Sequence, residues 1–479
     1  MIDINYSRAM LKKAFLVIPP TGLYVREDRC QSSVEDFSVE FFRPPHDLMM
    51  MAATLEDKGV QCKIRDYPVE GGDYETFKKD FVEYDPDLLI ISITTPTMKK
   101  DMSVLQCAKD IKASVVTVAK GAHFLKGAIS VLKEYPQLDV AIRGENEFSI
   151  GDLILPKEQW GTALGITYRQ GDNIIENEDR PYLEDLDLLP LPARHLVRNE
   201  LYMRPDVKRP LAVLDTQRGC PARCVYCLVS EVSGRTIRKR SPQSVMQEIE
   251  ECVTQHKITD FLFKADTFTW YKDWVLELCE LILEKDYKIS WICNSRVDTL
   301  DEERIKIMKK AGCYAIGFGI ESINDDILKE IKKGTPSRKI EEAIKLCRKF
   351  DVKSYGYFMI GFPSDTEETV QQSIDFSQRV GLDFIDFYIA YPFPGTEFET
   401  MVKDKNLYEN IEDISAYSEP AIRTVALSSE RLKEMRATAM RKFYTRPSYI
   451  FKKMMQIENF TQFKQYVHYG LKMLSKTKV

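Results

Sequence analysis

Cys220, Cys224 and Cys227 fall on one short stretch, directly after an apolar run that begins at Leu211. Thiolates at such spacing are ligands for soft metals and iron–sulfur clusters. A fourth cysteine at matching spacing is missing, so a single ion held by these three alone would be under-coordinated. A four-iron cluster with three protein ligands instead leaves one iron open for a substrate or cofactor. The competing readings are a structural zinc knuckle and three unrelated thiols. Zinc asks for four ligands at paired spacings, and no nearby His or Cys completes the set before Cys252. Gly219 and Pro221 suit a tight loop that wraps a cluster closely.

From Leu211 onward, apolar strands alternate with amphipathic helices. Six strand patterns cover residues 211–218, 259–266, 288–295, 314–320, 353–360 and 383–390. Helical patterns follow the first five, at 242–256, 271–285, 301–311, 338–350 and 366–380, with a short turn near 325–331. Asp301 and Ser337 stand where helix caps are wanted, and Gly312 stands at a helix stop. Six consecutive strand–helix units predict a partial (β/α)6 TIM-like barrel with its chemistry at the carboxyl ends of the strands. The three cysteines lie just past the first of those ends.

The first third of the chain has a related pattern. Strands are expected at 13–18, 61–66, 87–93, 114–119 and 139–142, with helices at 45–58, 74–84, 98–112 and 124–135. Continuous apolar strands between amphipathic helices predict a doubly wound parallel sheet, Rossmann-like in architecture. Ligands of such sheets sit beyond the strand carboxyl ends, which here carry Thr94-Thr95-Pro96, Gly121-Ala122-His123 and Arg143-Gly144-Glu145. No Gly-x-Gly-x-x-Gly appears, which argues against a dinucleotide site. The α/β chain therefore divides into 1–155, a glycine- and proline-rich linker at 156–195 with a short hairpin, the barrel at 196–400, and a helical region at 401–479.

Composition bounds the setting. Hydrophobic residues make up 44% and charged ones 29%, ordinary for a soluble globular protein. The 11 cysteines are scattered and odd in number, which argues against a disulfide framework and for a reducing compartment. No signal peptide and no run of about 18 apolar residues is seen, so the expected location is cytoplasmic. Net charge is −5, which gives no reason to expect nucleic acid. Residues 429–479 nevertheless hold 12 Lys/Arg against 3 Asp/Glu, interleaved with aromatics. Such a segment either packs on the barrel with its basic groups outward or makes a peripheral contact with an anionic membrane.

The spacing Cys-x3-Cys-x2-Cys, with Tyr226 before the last cysteine, resembles the signature of radical S-adenosylmethionine (SAM) enzymes. The likeness covers residues 211 to about 400. Phe263-Lys-Ala-Asp-Thr-Phe268, Trp291-Ile-Cys-Asn-Ser-Arg296, Gly317-Phe-Gly-Ile-Glu-Ser322, Lys333-Gly-Thr335 and Tyr357-Phe-Met-Ile-Gly-Phe-Pro363 follow the family's strand-end segments in order. The resemblance implies a 4Fe-4S cluster on Cys220, Cys224 and Cys227, with SAM on the open iron. Reductive cleavage of SAM then yields methionine and a 5′-deoxyadenosyl radical. It also implies SAM contacts from Tyr226, Arg296, Glu321 and Ser322, and an electron donor of ferredoxin or flavodoxin type. Gly361 and Pro363 read as turn-shaping residues.

The front domain resembles the cobalamin (B12)-binding domain that precedes many radical SAM barrels. Thr94, Thr95, Gly121, His123, Gly144 and Glu145 match the positions expected to face the corrinoid, with Asn146 replacing a common glycine. No Asp-x-His-x-x-Gly stretch is present, and none of His46, His123, His195, His256 or His468 stands in that setting. The expected activity is cobalamin-dependent methylation of an unreactive carbon in a small-molecule or lipid substrate. The alternatives are radical cyclisation, rearrangement or carbon–carbon coupling on a lipid or isoprenoid, and, from another class, a non-catalytic iron–sulfur carrier or sensor.

Overall fold

The computed structural model describes residues 11–27, 31–36, 41–409, 420–455, 457, 463, 464 and 467. The expected tail aromatics Phe460, Tyr466 and Tyr469, together with Cys30 and His468, lie outside the described residues. The chain divides into two compact units. One comprises Met1–Ser33, Phe42–Leu201 and Glu231–Gly234, and the other Val34–Phe41, Tyr202–Ser230 and Arg235–Val479.

The first unit is a seven-stranded sheet of β1 (Lys13–Ile18), β2 (Gln61–Asp66), β3 (Leu88–Ser92), β4 (Val116–Lys120), β5 (Val140–Ile142), β6 (Ile166–Gln170) and β7 (Asn173–Glu176), in the order β2-β1-β3-β4-β5-β6-β7. The first five strands are parallel. Their residues alternate between two cores, as the two-residue strand period requires. Leu16, Ile90 and Val118 pack with the helix His46–Glu56 on one face. Phe15, Val17, Leu89 and Ile91 pack with the helices Tyr74–Tyr84, Met98–Ile111 and Phe124–Glu134 on the other. The strand order reverses direction at β1 and β3, the switch point where such sheets bind ligands.

Within residues 156–195, the expected hairpin joins this sheet as β6 and β7, and the remainder is short 3-10 turns and irregular chain. The hairpin β6–β7 adds antiparallel to β5. An edge strand leaves a row of N–H and C=O groups unpaired, and the hairpin satisfies them. Arg143 fastens it: the buried guanidinium donates to the Ile166 carbonyl at 3.1 Å and pairs with Glu176 at 3.2 Å and Asp179 at 2.9 Å. Local composition shows the turns of a hairpin but not the open edge it joins.

The second unit contains β8 (Met203–Arg204), β9 (Arg209–Asp215), β10 (Gln217–Arg218), β11 (Arg238–Lys239), β12 (Asp260–Lys264), β13 (Ser290–Ser295), β14 (Cys313–Glu321), β15 (Lys353–Ile360) and β16 (Phe384–Ile389). Its main sheet runs β16-β15-β14-β13-β12-β9-β8, with six parallel strands, β8 antiparallel at one edge, and β10 paired only with β11. The two edges do not pair, so the barrel is open. One face is apolar: Phe263, Trp291, Phe318, Phe358 and Phe387 pack under the surrounding helices. Phe263 stacks on Trp291 at 4.7 Å and Phe358 on Phe387 at 4.6 Å. The alternate positions Ile292, Asn294, Tyr355, Tyr357, Met359 and Tyr388 are only half-buried on the opposite face.

Asp301 caps its helix by accepting from the Arg304 N–H at 2.8 Å. Ser337 does not cap. It has helical dihedrals and no capping bond, and its own N–H donates to the Asp325 carboxylate at 2.9 Å. The described part of the tail packs on the barrel, as one of its two readings expects. The helix Ser429–Tyr444 buries Leu432, Met435, Met440 and Phe443. The Tyr444 hydroxyl both accepts from the Ile385 N–H and donates to its carbonyl. In the next helix, Pro447–Met455, Lys453 lies 4.0 Å over the Phe384 ring, and burial beside Lys353 pulls its ammonium down to about 8.

Gly312 shows how tightly β13 and β14 meet. Its φ is +95°, and an added Cβ would lie 2.2 Å from the Ile289 carbonyl oxygen. Gly171 has φ +61° but open space around it. Strain alone costs roughly 1–3 kcal/mol, so Gly312→Ala is expected to lower the thermal midpoint by several degrees and Gly171→Ala by clearly less. Equal losses in calorimetry would show that the close approach is not what Gly312 serves.

Candidate active site

The cysteine loop is anchored before it begins. The Thr216 N–H and hydroxyl both donate to the Lys264 carbonyl at 2.9 Å, and β10 pairs with β11. Gly219, at φ +95°, donates its N–H to the Asp266 carboxylate at 2.6 Å, which fixes the chain one residue before Cys220. The Cys220 sulfur lies 3.9 Å from the Thr267 hydroxyl. Val225 holds the middle: its N–H donates to the Ile331 carbonyl at 3.1 Å and its carbonyl accepts from Phe398 at 2.9 Å. Cys227 closes a turn back to the Cys224 carbonyl at 3.2 Å.

The three loop cysteines are half-buried and form no disulfide, whereas Cys252, Cys279, Cys293, Cys313 and Cys347 are buried. Burial pushes the Cys279 and Cys347 thiols far above their usual range, which makes them inert core groups. Three accessible thiols on one anchored loop fit a cluster that takes each on a separate iron. Among the described residues, no three His, Cys, Asp or Glu side chains converge as a set for a single metal ion.

The rim beside this loop is charged and buried. Glu321 ends β14 with φ +64°, a left-handed conformation rare for a non-glycine residue. The register between β14 and β15 shifts between Gly319 and Glu321. Its carboxylate accepts from the Lys333 ammonium at 2.8 Å, both side chains being 8% exposed. Burial alone would lower Lys333, but Glu321 and Cys224 outweigh it and leave the ammonium raised. Burial, with Cys224, Glu321 and Cys227 nearby, holds the Tyr226 phenol un-ionised. Its ring packs on Phe362 at 5.6 Å.

Arg296, expected as a SAM contact, stands at the end of β13, where its guanidinium has a two-pronged fork to offer. The structure gives that fork to Asp298, through Nε at 2.9 Å and Nη2 at 2.8 Å, with a further bond to the Lys333 carbonyl at 3.1 Å. Despite burial, Asp298, Cys224 and Cys220 keep its guanidinium firmly charged. Ser322 is buried and accepts from the Asn324 N–H at 3.2 Å.

In the first unit, the expected residues meet at the ends of β3, β4 and β5. The Thr95 hydroxyl lies 3.4 Å from His123 Nδ1, and the Thr95 N–H donates to Gln31 at 2.7 Å. Burial lowers His123, countered by Glu134, so the ring is neutral near pH 7. The Thr94 and Thr97 hydroxyls share a bond of 2.7 Å. Gly121 passes Ile93 so closely that a Cβ would lie 2.8 Å from its carbonyl oxygen. Gly144 faces open space at φ +71°, and Glu145 accepts from the Leu183 N–H at 2.9 Å.

A Radical SAM superfamily model matches residues 214–377, and a B12 binding domain model matches residues 37–153. An uncharacterized methyltransferase of Pyrococcus horikoshii is 30% identical over 453 residues, spanning 94% of this chain and 96% of that protein. The chain belongs to the radical SAM superfamily. Its front unit is a B12-binding domain. Two solved structures share the fold of this radical SAM enzyme at low identity. The methyltransferase TsrM of Kitasatospora setae, with cobalamin and a 4Fe-4S cluster bound, has a TM-score of 0.66 at 15% identity, covering 89% of this chain and 85% of that one. The cobalamin-dependent enzyme OxsB, with aqua-cobalamin and SAM bound, has a TM-score of 0.70 at 16% identity, covering 97% and 72%.

Sequence reasoning passed over three groups that hold these sites together. Lys333, in the segment Lys333-Gly-Thr335, has no role that spacing assigns, yet its ammonium donates to Glu321 and lies near Cys224. Asp101 is fully buried and gathers Thr21 at 2.6 Å, Arg26 at 2.9 Å and the Thr97 hydroxyl under the β3 loop. Asp365 accepts from the Gly361 N–H at 2.8 Å and the Phe362 N–H at 3.0 Å, so it shapes the turn that carries Phe362 to Tyr226. Only a helical spacing from Thr97 to Asp101 hinted at any of this.

Burial raises Asp365 from 3.8 to about 6, against the opposing bonds from Thr369, Phe362 and Gly361. A carboxyl raised on folding binds more protons in the native state, so stability falls as pH rises through about 4 to 6. Asp365→Asn, neutral throughout, is expected to lack that decline. Thermal midpoints across this window check it, and parallel profiles for the two proteins would contradict the shift.

Proposed function

We propose that this radical SAM enzyme is a cobalamin-dependent methyltransferase acting on an unreactive carbon. The observation that carries the reading is the set of three accessible thiols at the carboxyl end of β9, in a chain that also has a B12-binding domain. A methyltransferase relative alignable over nearly the whole chain supports it. Cys220, Cys224 and Cys227 would ligate the cluster. Tyr226, Arg296, Glu321 and Ser322 would form the SAM rim. When bound, the cofactors supply the electron that cleaves SAM and the cobalt-carried methyl group.

The chain's own residues give that chemistry its setting. Glu321 presents a buried carboxylate that can accept from a ribose hydroxyl or amino group. Arg296, with its fork held by Asp298, contributes charge rather than a two-pronged clamp. Thr94, Thr95, Gly121, His123, Gly144 and Glu145 would face the corrinoid. Their hydroxyls, backbone amides and neutral imidazole suit an uncharged, amide-rich ring edge. His123 is turned to Thr95 and lacks the usual motif around it, so the corrinoid would be held without an imidazole on cobalt.

Changing Cys220, Cys224 and Cys227 together to Ala is expected to abolish the brown colour and SAM cleavage of anaerobically reconstituted protein. Cleavage by that variant would overturn the site. Cobalamin loading separates the reactions. Retained corrinoid without the spectral signature of imidazole ligation supports methylation; failure to retain it leaves cyclisation, rearrangement or coupling. Reductant and small-molecule substrate belong to the family's chemistry, and a ferredoxin or flavodoxin is the proposed donor.

The tail supports a second, peripheral role. One side of the helix Pro447–Met455 carries Tyr449 and Lys453 onto the barrel. Ile450, Phe451, Met454 and Met455 stand 46–73% exposed at spacings that share a face. With the basic residues of 429–479, this face suits an anionic lipid surface, at about 1 kcal/mol per basic group that reaches it. Sedimentation with anionic liposomes at low salt is expected, and Phe451→Glu with Met454→Glu should weaken it. Absence of binding at low salt would refute the contact.

A further inference from the structure

The pair of Lys333 and Glu321 is expensive to build. Two charges are withdrawn from water, and Glu321 adopts a left-handed φ of +64° to meet its partner. The backbone is shaped around them: a Cβ on Gly319 would lie 2.7 Å from Glu321 Oε1 and 2.8 Å from Lys333 Nζ. An apolar pair would fill the same space without that cost. The position of the pair suggests its use, because Lys333 closely follows Ile331, whose carbonyl accepts from the Val225 N–H at 3.1 Å beside Cys224, and Lys333 and Cys224 are close enough to interact electrostatically. The Lys333 carbonyl also accepts from Arg296, a second cation that Cys224 and Cys220 influence.

We propose that Lys333 and Glu321 are positioning residues that set the reduction potential of the cluster held by Cys220, Cys224 and Cys227. The inference rests on the cluster assignment above. Reduction transfers one electron from an external one-electron donor to the cluster and adds one negative charge beside these groups. A buried cation stabilises that added charge and a buried anion opposes it. The paired state places the potential between the two extremes. Lys333 thus acts on the cluster through space, without ligating it.

The test is a dithionite titration of full-length, anaerobically reconstituted protein without SAM, followed by electron paramagnetic resonance, with iron content measured on each sample. Lys333→Met is expected to make the cluster harder to reduce, and Glu321→Gln easier. Each change should alter the reduced-to-oxidised ratio at fixed potential about tenfold, which is about 59 mV for a one-electron couple. Lys333→Arg should match the wild type, and the double variant should return towards it. Unshifted potentials, or two single variants shifted in the same direction, would overturn the proposal. If Lys333→Met fails to hold a cluster, Glu321→Gln decides alone, and an unchanged or more negative potential there overturns it. A wild type that binds no cluster would instead sink the underlying assignment.

Discussion

Parallel pairing of β9 with β12, and of β12 through β16 in turn, is the constraint on which the second unit depends. Parallel strands hydrogen-bonded side by side must all end at the same rim. Each connection returns through a helix, and those helices need an apolar face to pack against. The strands meet that need by alternation: Trp291 and Cys293 turn to the helices, while Ile292 and Asn294 turn away. The rim therefore receives Gly219, Asp266, Arg296, Glu321 and Gly361 from strands far apart in sequence. Chemistry collects there because the pairing leaves no other place where so many strand ends meet.

At that rim, the sheet spends stability on polar organisation. Asp266 fixes Gly219, Asp365 fixes Gly361 and Phe362, and Lys333 fixes Glu321. Asp365 and Lys333 are withdrawn from water and Asp266 is half-buried, and each is held by one or two short bonds. Buried groups of this kind give weak net stability but strong geometric definition. The cysteine loop has little regular structure of its own, so its shape is borrowed from these contacts and from Val225 between Ile331 and Phe398.

The first unit solves a similar problem with less charge. Its parallel sheet reverses at β1 and β3, and the β3 loop there is braced from beneath by Asp101 with Thr97, Thr21 and Arg26. Its far edge, at β5, is covered by a hairpin fastened by Arg143. That hairpin explains why a stretch with the composition of a linker is structural. Composition reports turn residues, whereas membership of a sheet is decided by whether an unpaired edge is near.

Strand and helix positions were legible in the chain because they follow from local periodicity: the strands at 13–18 and 61–66 coincide with β1 and β2, and the six barrel strands lie within a few residues of their expected bounds. The cysteine trio was legible because a ligand set on one loop is a short-range fact. Ser337 failed as a cap because its hydroxyl turns to the Asp325 carboxylate, twelve residues earlier, instead of to the first helical amides. Arg296 was placed at the right strand end, but its fork was claimed by Asp298 within a turn that spacing does not describe. Asp365 carries no local signal, and Lys333, although it opens a segment that follows the family, looks by itself like an ordinary surface lysine. The sequence by itself determined the elements, their order and the thiolate loop. Only the tertiary structure decided which charged groups are buried beside that loop, because burial depends on what the other strands bring to the rim.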